Sequence, residues 1–168
     1  MKHDAIDKRS VDCVISIAEQ TLEVFQHGEL LNRYSVSTAR NGPGEKIGSE
    51  CTPRGRHVIR AMIGKDCDPG TVFVGRRPTG EVWSSQLAHA EPERDWILTR
   101  IIWLSGLEPG FNRLTNVDTM RRYIYIHGTP YEEEIGKPVS HGCIRMRSTD
   151  LIELYDHVMP GTIVTIIP

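Results

Sequence analysis

The apolar positions of this chain recur mostly with a period of two. Val11 to Ala18 is apolar and β-branched. Thr21 to Phe25 alternates, with Leu22 and Val24 on one parity and Glu23 on the other, and Glu29 to Ser37 follows the turn residues His27 and Gly28. Such alternation marks half-buried strands, because successive side chains point to opposite faces. Turn residues between the runs predict antiparallel hairpins. A stretch of breakers comes next, Asn41-Gly42-Pro43-Gly44, Gly48 and Thr52-Pro53-Arg54-Gly55, and reads as a loop. Further strands are predicted over residues 57–62 and 71–74, on either side of the turn Asp68-Pro69-Gly70. Residues 96–104 fit both periods in part; a short run rich in aromatic and β-branched side chains favours strand. After a loop at 107–112, residues 122–127 alternate strongly and are read as strand. Gly128-Thr129-Pro130 ends that strand, and 131–140 is a polar loop.

Helical spacing is clearest near the C-terminus. Leu151, Leu154, Tyr155 and Val158 fall at i, i+3, i+4 and i+7, predicting a helix over 149–158 with Ser148 as its N-cap and Asp150 in its first turn. Pro160-Gly161 stops it, and residues 162–167 form a last strand. Many strands, one prominent helix and no βαβ rhythm predict a mainly-β sandwich in a single domain spanning 1–168. The length of 168 residues agrees, since domains run to about 100–200 residues.

Composition narrows the function classes. Twenty Lys and Arg against 22 Asp and Glu leave a net charge of −2, which argues against a dedicated nucleic-acid binder. No apolar run approaches the roughly 20 residues of a membrane span. Residues 1–10 lack the apolar segment of a secretory signal. The expected location is therefore the cytoplasm, or the periplasm if an export signal precedes this chain. Cys13, Cys51, Cys67 and Cys143 form no CxxC pattern and are expected to be free thiols.

The chemistry concentrates in His127-Gly128-Thr129-Pro130 and Ser140-His141-Gly142-Cys143-Ile144-Arg145-Met146. A cysteine becomes a nucleophile when an imidazole takes its proton and the thiolate is stabilised, which lowers the thiol pKa below about 8.5. Folding back of the 128–140 loop brings Cys143 beside His127, at the end of its strand. Gly142 frees the backbone next to the thiol, so that amide N–H groups can face a developing oxyanion. Arg145 is a candidate two-pronged carboxylate ligand or a structural ion-pair partner. His141 serves either as a proton-transfer group or as a brace for the loop. His3, His27, His57, His89 and His157 are read as surface or structural.

Tyr125-Ile126-His127-Gly128-Thr129 with Ile135-Gly136-Lys137-Pro138-Val139-Ser140-His141-Gly142-Cys143-Ile144-Arg145-Met146 resembles the signature of the L,D-transpeptidase catalytic domain family. Thr52-Pro53-Arg54-Gly55 resembles the upstream Thr-Pro-x-Gly turn of that family, and the closing helix and strand fit as well. The resemblance implies a mainly-β sandwich acting on peptidoglycan stem peptides. It implies Cys143 as nucleophile and His127 as general base, with the Gly128 carbonyl orienting the imidazole and His141 in the catalytic loop. Gly142 and Cys143 shape the oxyanion hole, and Arg145 and Ser140 lie on the substrate side. The thiolate attacks the carbonyl of the third-position diamino acid, D-alanine leaves, and a thioester remains. Neither a cofactor nor a metal is implied; carbapenem reactivity is. With no export signal in view, the expected activity is L,D-carboxypeptidase, with water as acceptor and soluble muropeptides as substrate. The alternative is 3→3 cross-linking. Two remoter readings are a zinc site built from His127, His141 and Cys143, and a non-catalytic muropeptide-binding module. A loop over 76–95 is a candidate cover for the site.

Overall fold

The computed structural model describes residues 5–168, so His3 lies outside the described residues. The strands are β1 (Val11–Ser16), β2 (Thr21–Gln26), β3 (Glu29–Ser35), β4 (Gly55–Ile63), β5 (Thr71–Val74), β6 (Arg77–Val82), β7 (Ile97–Gly106), β8 (Tyr125–Gly128), β9 (Ile144–Met146) and β10 (Ile163–Ile167). Two α-helices accompany them, α1 (Ser85–Ala90) and α2 (Ser148–His157). The chain is mainly β, with its prominent helix near the C-terminus.

The strands make one sheet, and β7 is its branch point. Ile101, Ile102 and Trp103 pair with β4 on one edge and with His127, Ile126 and Tyr125 of β8 on the other. β5 joins the β4 edge, where Val72 meets Leu98. β9 lies parallel to β8. Just beyond β3, Ser37 and Arg145 exchange both backbone hydrogen bonds, each 2.9 Å. The sheet therefore returns on itself in the order β3-β2-β1-β10-β4-β7-β8-β9. The two layers of the expected sandwich are opposite parts of this one wrapped sheet.

Between them lies the main core. Cys13, Ile15, Leu22, Val24, Val164 and Ile166 from one side meet Ile126, Ile144, Met146, Leu151 and Leu154 from the other. In β1 and β2 the burial alternates with the sequence, whereas β8 and β9 are buried throughout. α2 packs its Leu151–Leu154–Tyr155 stripe inward beside β7 and β8.

Three local expectations are corrected. Ser148 is not the N-cap but the first helical residue: Arg147 caps without a side-chain bond, and the Glu132 carboxylate accepts from Ser148 N at 2.9 Å. The cap thus comes from a distant loop, while the Ser148 hydroxyl bonds Thr99 Oγ1 at 2.6 Å. β8 begins at Tyr125 rather than Arg122, because Arg121–Tyr123 turn and Tyr123 takes a φ of 55°. Residues 76–95 are not one loop: they hold β6 and α1, whose Ser84 cap accepts from Leu87 N at 3.1 Å. Leu87 and Ala88 pack on Val72, Trp96 and Leu98, tying this segment to the sheet.

Leu154, only 1% exposed, tests the dependence of the core on α2. Leu154→Ala should cost about 2–5 kcal/mol in a urea unfolding titration. Thr149→Ala, on the exposed side of the same helix, should stay within about 0.5 kcal/mol of the parent.

Candidate active site

His127 is held by its own strand. Its Nδ1 lies 2.7 Å from the carbonyl oxygen of Gly128. A carbonyl can only accept, so Nδ1 carries the proton and Nε2 keeps its lone pair. Residue 128 must be glycine for this arrangement to pack. A Cβ there would come within 2.7 Å of Leu98 O, 3.1 Å of Thr99 Oγ1 and 3.2 Å of Ser148 Oγ.

The parallel register of β8 and β9 sets His127 opposite Arg145 and brings Cys143 alongside Tyr125. Tyr125 N donates to Cys143 Sγ at 3.3 Å, and the thiol donates to Tyr123 O at 3.4 Å. His127 and Cys143 line one cleft of about 490 Å³, together with Arg76, Asp95, Arg122, Tyr123 and Arg145.

The loop before Cys143 is built around backbone groups. Ser140 Oγ donates to Cys143 O at 2.6 Å and accepts from Gly142 N at 3.2 Å. Gly142 is buried with a φ of +131°, a conformation L side chains rarely adopt; a Cβ there would also press on Cys51 O and Ile124 Cδ1, both at 3.3 Å. Thr52 Oγ1 braces the loop from behind, donating to Gly142 O and accepting from Ala39 N, both at 2.9 Å. Thr52 belongs to the Thr-Pro-Arg-Gly turn singled out in the sequence, which here supports the cysteine loop. The amide of Cys143 has no partner among the described residues, so it is free to face an oxyanion.

The electrostatics run against a preformed thiolate. Burial lowers the pKa of His127 to about 4, opposed by the Gly128 carbonyl. Burial likewise raises the Cys143 thiol to about 11, opposed by the Tyr125 amide. The Asp95 carboxylate pushes both pKa values up, and Arg145 pulls both down. Both shifts favour thiol and neutral imidazole over the ion pair, the opposite direction to the lowered thiol pKa expected from sequence.

Arg145 is nearly buried, and its guanidinium lies 3.5 Å from the exposed carboxylate of Asp95. Ser140 and Gly142 N are spent inside the loop, so the serine shapes the turn and the Gly142 amide is not a free donor. His141 stands exposed on the rim, with no side-chain hydrogen bond among the described residues. Among the described residues no group of three or more His, Cys, Asp or Glu side chains is arranged to hold a metal ion, so His127, His141 and Cys143 do not form one. Cys13, Cys51, Cys67 and Cys143 are free. His57 is fully buried between Gly55 O and Thr119 Oγ1, each 3.0 Å away, and acts as a structural brace.

Several cleft residues carry no motif signal. Arg122 is pinned by the carbonyls of Gly44, Glu45 and Cys51, the last at 2.6 Å. Arg76 donates to Tyr125 Oη at 3.0 Å and lies 4.7 Å over the Trp103 ring. Both arginines sit in turns, where neither period nor spacing marks a site. Asp95 is just as silent in the sequence.

The L,D-transpeptidase catalytic domain family model matches residues 11–166. A relative from Bacillus licheniformis, carried under the provisional name L,D-transpeptidase YkuD, is 27% identical over 154 residues, covering 92% of this chain and 64% of its own length. An L,D-transpeptidase structure from Mycobacterium smegmatis has a TM-score of 0.57 at 22% identity, covering 95% of this chain and 59% of its own. L,D-transpeptidase 3 from Mycobacterium tuberculosis, in complex with a faropenem-derived adduct, has a TM-score of 0.57 at 19% identity over 95% of this chain and 60% of its own. The chain thus spans less than two thirds of the length of these relatives, and at such identities the structural likeness shows the fold. With the match running from β1 into β10, the chain belongs to the L,D-transpeptidase catalytic domain family.

Proposed function

We propose that this chain is a cysteine acyl-transfer enzyme that cleaves the L,D bond between the third-position diamino acid and D-alanine of peptidoglycan tetrapeptide stems. The observation that carries the reading is the free Nε2 of His127 in the same cleft as Cys143 Sγ. Sγ attacks the carbonyl carbon while its proton passes to Nε2, so a thioester can form without a resting thiolate. The Cys143 amide donates to the oxyanion, and the proton returns from Nε2 to the departing D-alanine amine. Arg145 holds a substrate carboxylate, a contact that guanidinium geometry favours. The faropenem-derived adduct of the tuberculosis relative supports placing acyl chemistry in this fold.

Water completes the cycle: Nε2 takes a proton from water as its oxygen attacks the thioester carbonyl, the C–S bond breaks, the tripeptide leaves with its new carboxyl group, and the proton returns from Nε2 to Sγ. The cleft opens to water past His141 and Asp95, both exposed, which favours this carboxypeptidase reading. A second reading, transfer to the amine of another stem in 3→3 cross-linking, is favoured by one specific feature. A smaller hollow of about 250 Å³ shares Asp95, His141 and Arg145 with the cleft and adds Glu93 and Glu134 beside Arg40 and Arg94, charges of both signs for the ammonium and carboxylate groups of a second stem.

Two outcomes are expected. With the thiol pKa raised to about 11, the thiolate fraction grows with pH throughout the neutral range. Iodoacetamide labelling of Cys143, resolved from the other cysteines by peptide mass mapping, should therefore climb steadily past pH 9. A plateau reached below about pH 8.5 would indicate a preformed thiolate instead. Given a disaccharide-tetrapeptide, the protein should release D-alanine and accumulate tripeptide, read by mass spectrometry. Dominant dimer would favour cross-linking, and no cleavage by folded protein would count against the substrate.

A further inference from the structure

Arg145 is the cleft arginine whose donors are left unspent. Its side chain is only 11% exposed, and the carboxylate beside it, that of Asp95, stands 3.5 Å away and is 60% exposed. That spacing is long for a charge-assisted hydrogen bond, which closes to about 2.7–2.9 Å. Among the described residues the guanidinium makes no hydrogen bond. The other two arginines of the cleft are committed: Arg76 to Tyr125 Oη, and Arg122 to the carbonyls of Gly44, Glu45 and Cys51. A guanidinium stays charged and presents a rigid fork of donors. One that is nearly buried and still unbonded calls for a partner, and its fork fits a carboxylate. Arg145 lines the thiol cleft, so the partner enters there.

Strand register says which carboxylate. β8 and β9 run parallel, with Arg145 beside His127. Cys143 precedes β9 and lies beside Tyr125, whose amide reaches its sulfur. Along the strands the sulfur therefore comes first, and the imidazole and guanidinium follow side by side about 6–7 Å further on. In the reaction proposed above, the carbonyl carbon sits at the sulfur and the departing amine takes its proton from Nε2 of His127. The leaving residue thus runs from the sulfur toward Arg145. In an α-amino acid the amine and the carboxylate share their α-carbon, so a terminal carboxylate on the leaving residue comes to the guanidinium. The side chain of the diamino acid branches from the other side of the scissile bond and stays with the acyl half.

We propose that Arg145 is a specificity-determining residue: it binds the terminal carboxylate of the leaving residue, in competition with Asp95, and so confines cleavage to the free end of a stem. The proposal rests on the acyl-transfer reading and deepens it. A stem that continues past the leaving residue, or ends in an amide, brings no charge to this point and leaves the guanidinium unpaired. Sites built around such a polar contact strongly reject ligands that lack the matching group.

The test compares a tetrapeptide stem ending in D-alanine with the same stem ending in D-alaninamide, through kcat/KM for release of the last residue. The parent protein should favour the free acid by at least roughly a hundredfold. Arg145→Gln, with its melting temperature retained, should bring that ratio to within about threefold by slowing cleavage of the acid alone. Arg145→Lys keeps the charge without the fork and should fall between; it carries the comparison if the glutamine variant unfolds. Asp95→Asn should raise the ratio, because the competing carboxylate is gone. The inference is overturned if the parent cleaves acid and amide alike, if the Arg145 variants keep the parent ratio, or if Asp95→Asn fails to raise it. It is also overturned if Arg145→Gln alters only the choice between stems with and without a side-chain carboxylate on the third residue, since the guanidinium would then read the acyl half. In each of these cases the acyl-transfer reading stands. Cleavage of neither stem by the folded parent would overturn that reading, and the inference with it.

Discussion

The parallel pairing of β8 with β9 is the constraint on which the rest of this structure depends. It fixes His127 opposite Arg145 and sets Cys143 at the entrance to β9, where the Tyr125 amide reaches its sulfur. It also brings Arg145 to the extension of β3, so the same short ladder that builds the site closes the sheet. Three paired positions are too few to hold by backbone bonds alone. The pairing persists because every residue of β8 and β9 is buried and α2 packs against β8. The candidate site and the closure of the sheet therefore rest on the same few residues.

That burial sets the working state of the site. Desolvation pushes the two pKa values apart, toward neutral imidazole and neutral thiol. The protein offsets this with fixed dipoles rather than with an ion pair: the Gly128 carbonyl orients one ring nitrogen and the Tyr125 amide faces the sulfur. On the proposed acyl-transfer reading, charge is needed only as the acyl bond forms, and the Cys143 amide, unbonded among the described residues, would meet it. Gly142 takes a backbone conformation in which a side chain would be strained, with Thr52 holding the loop from behind.

Much of this was legible in the sequence, because period-two alternation shows where a strand has one wet face. β1 and β2 are of that kind, and their ends were read to within two residues. β7 was ambiguous because it is buried on both faces over most of its length, which erases the alternation. β9 was missed as a strand for the same reason, being short and wholly buried. α1 has six residues and no buried side chain of its own, so it leaves no helical stripe to read. That His127, Gly128 and Cys143 would come together was legible, because a thiol–imidazole site would need those residue types at that spacing. Arg122 and Asp95 were not, since an arginine pinned by carbonyls and an aspartate on a loop look like any other surface charge until the chain is folded.

The central claim is that Cys143 forms the acyl bond. Rapid acid quenching of the protein during turnover of a tetrapeptide stem, followed by intact and peptide-level mass spectrometry, addresses it most directly. The account predicts a transient mass increase equal to the stem less D-alanine, located on the peptide that contains Cys143 and absent from folded Cys143→Ala. Stem cleavage that continues in Cys143→Ala, or an acyl group found on another residue, would contradict it.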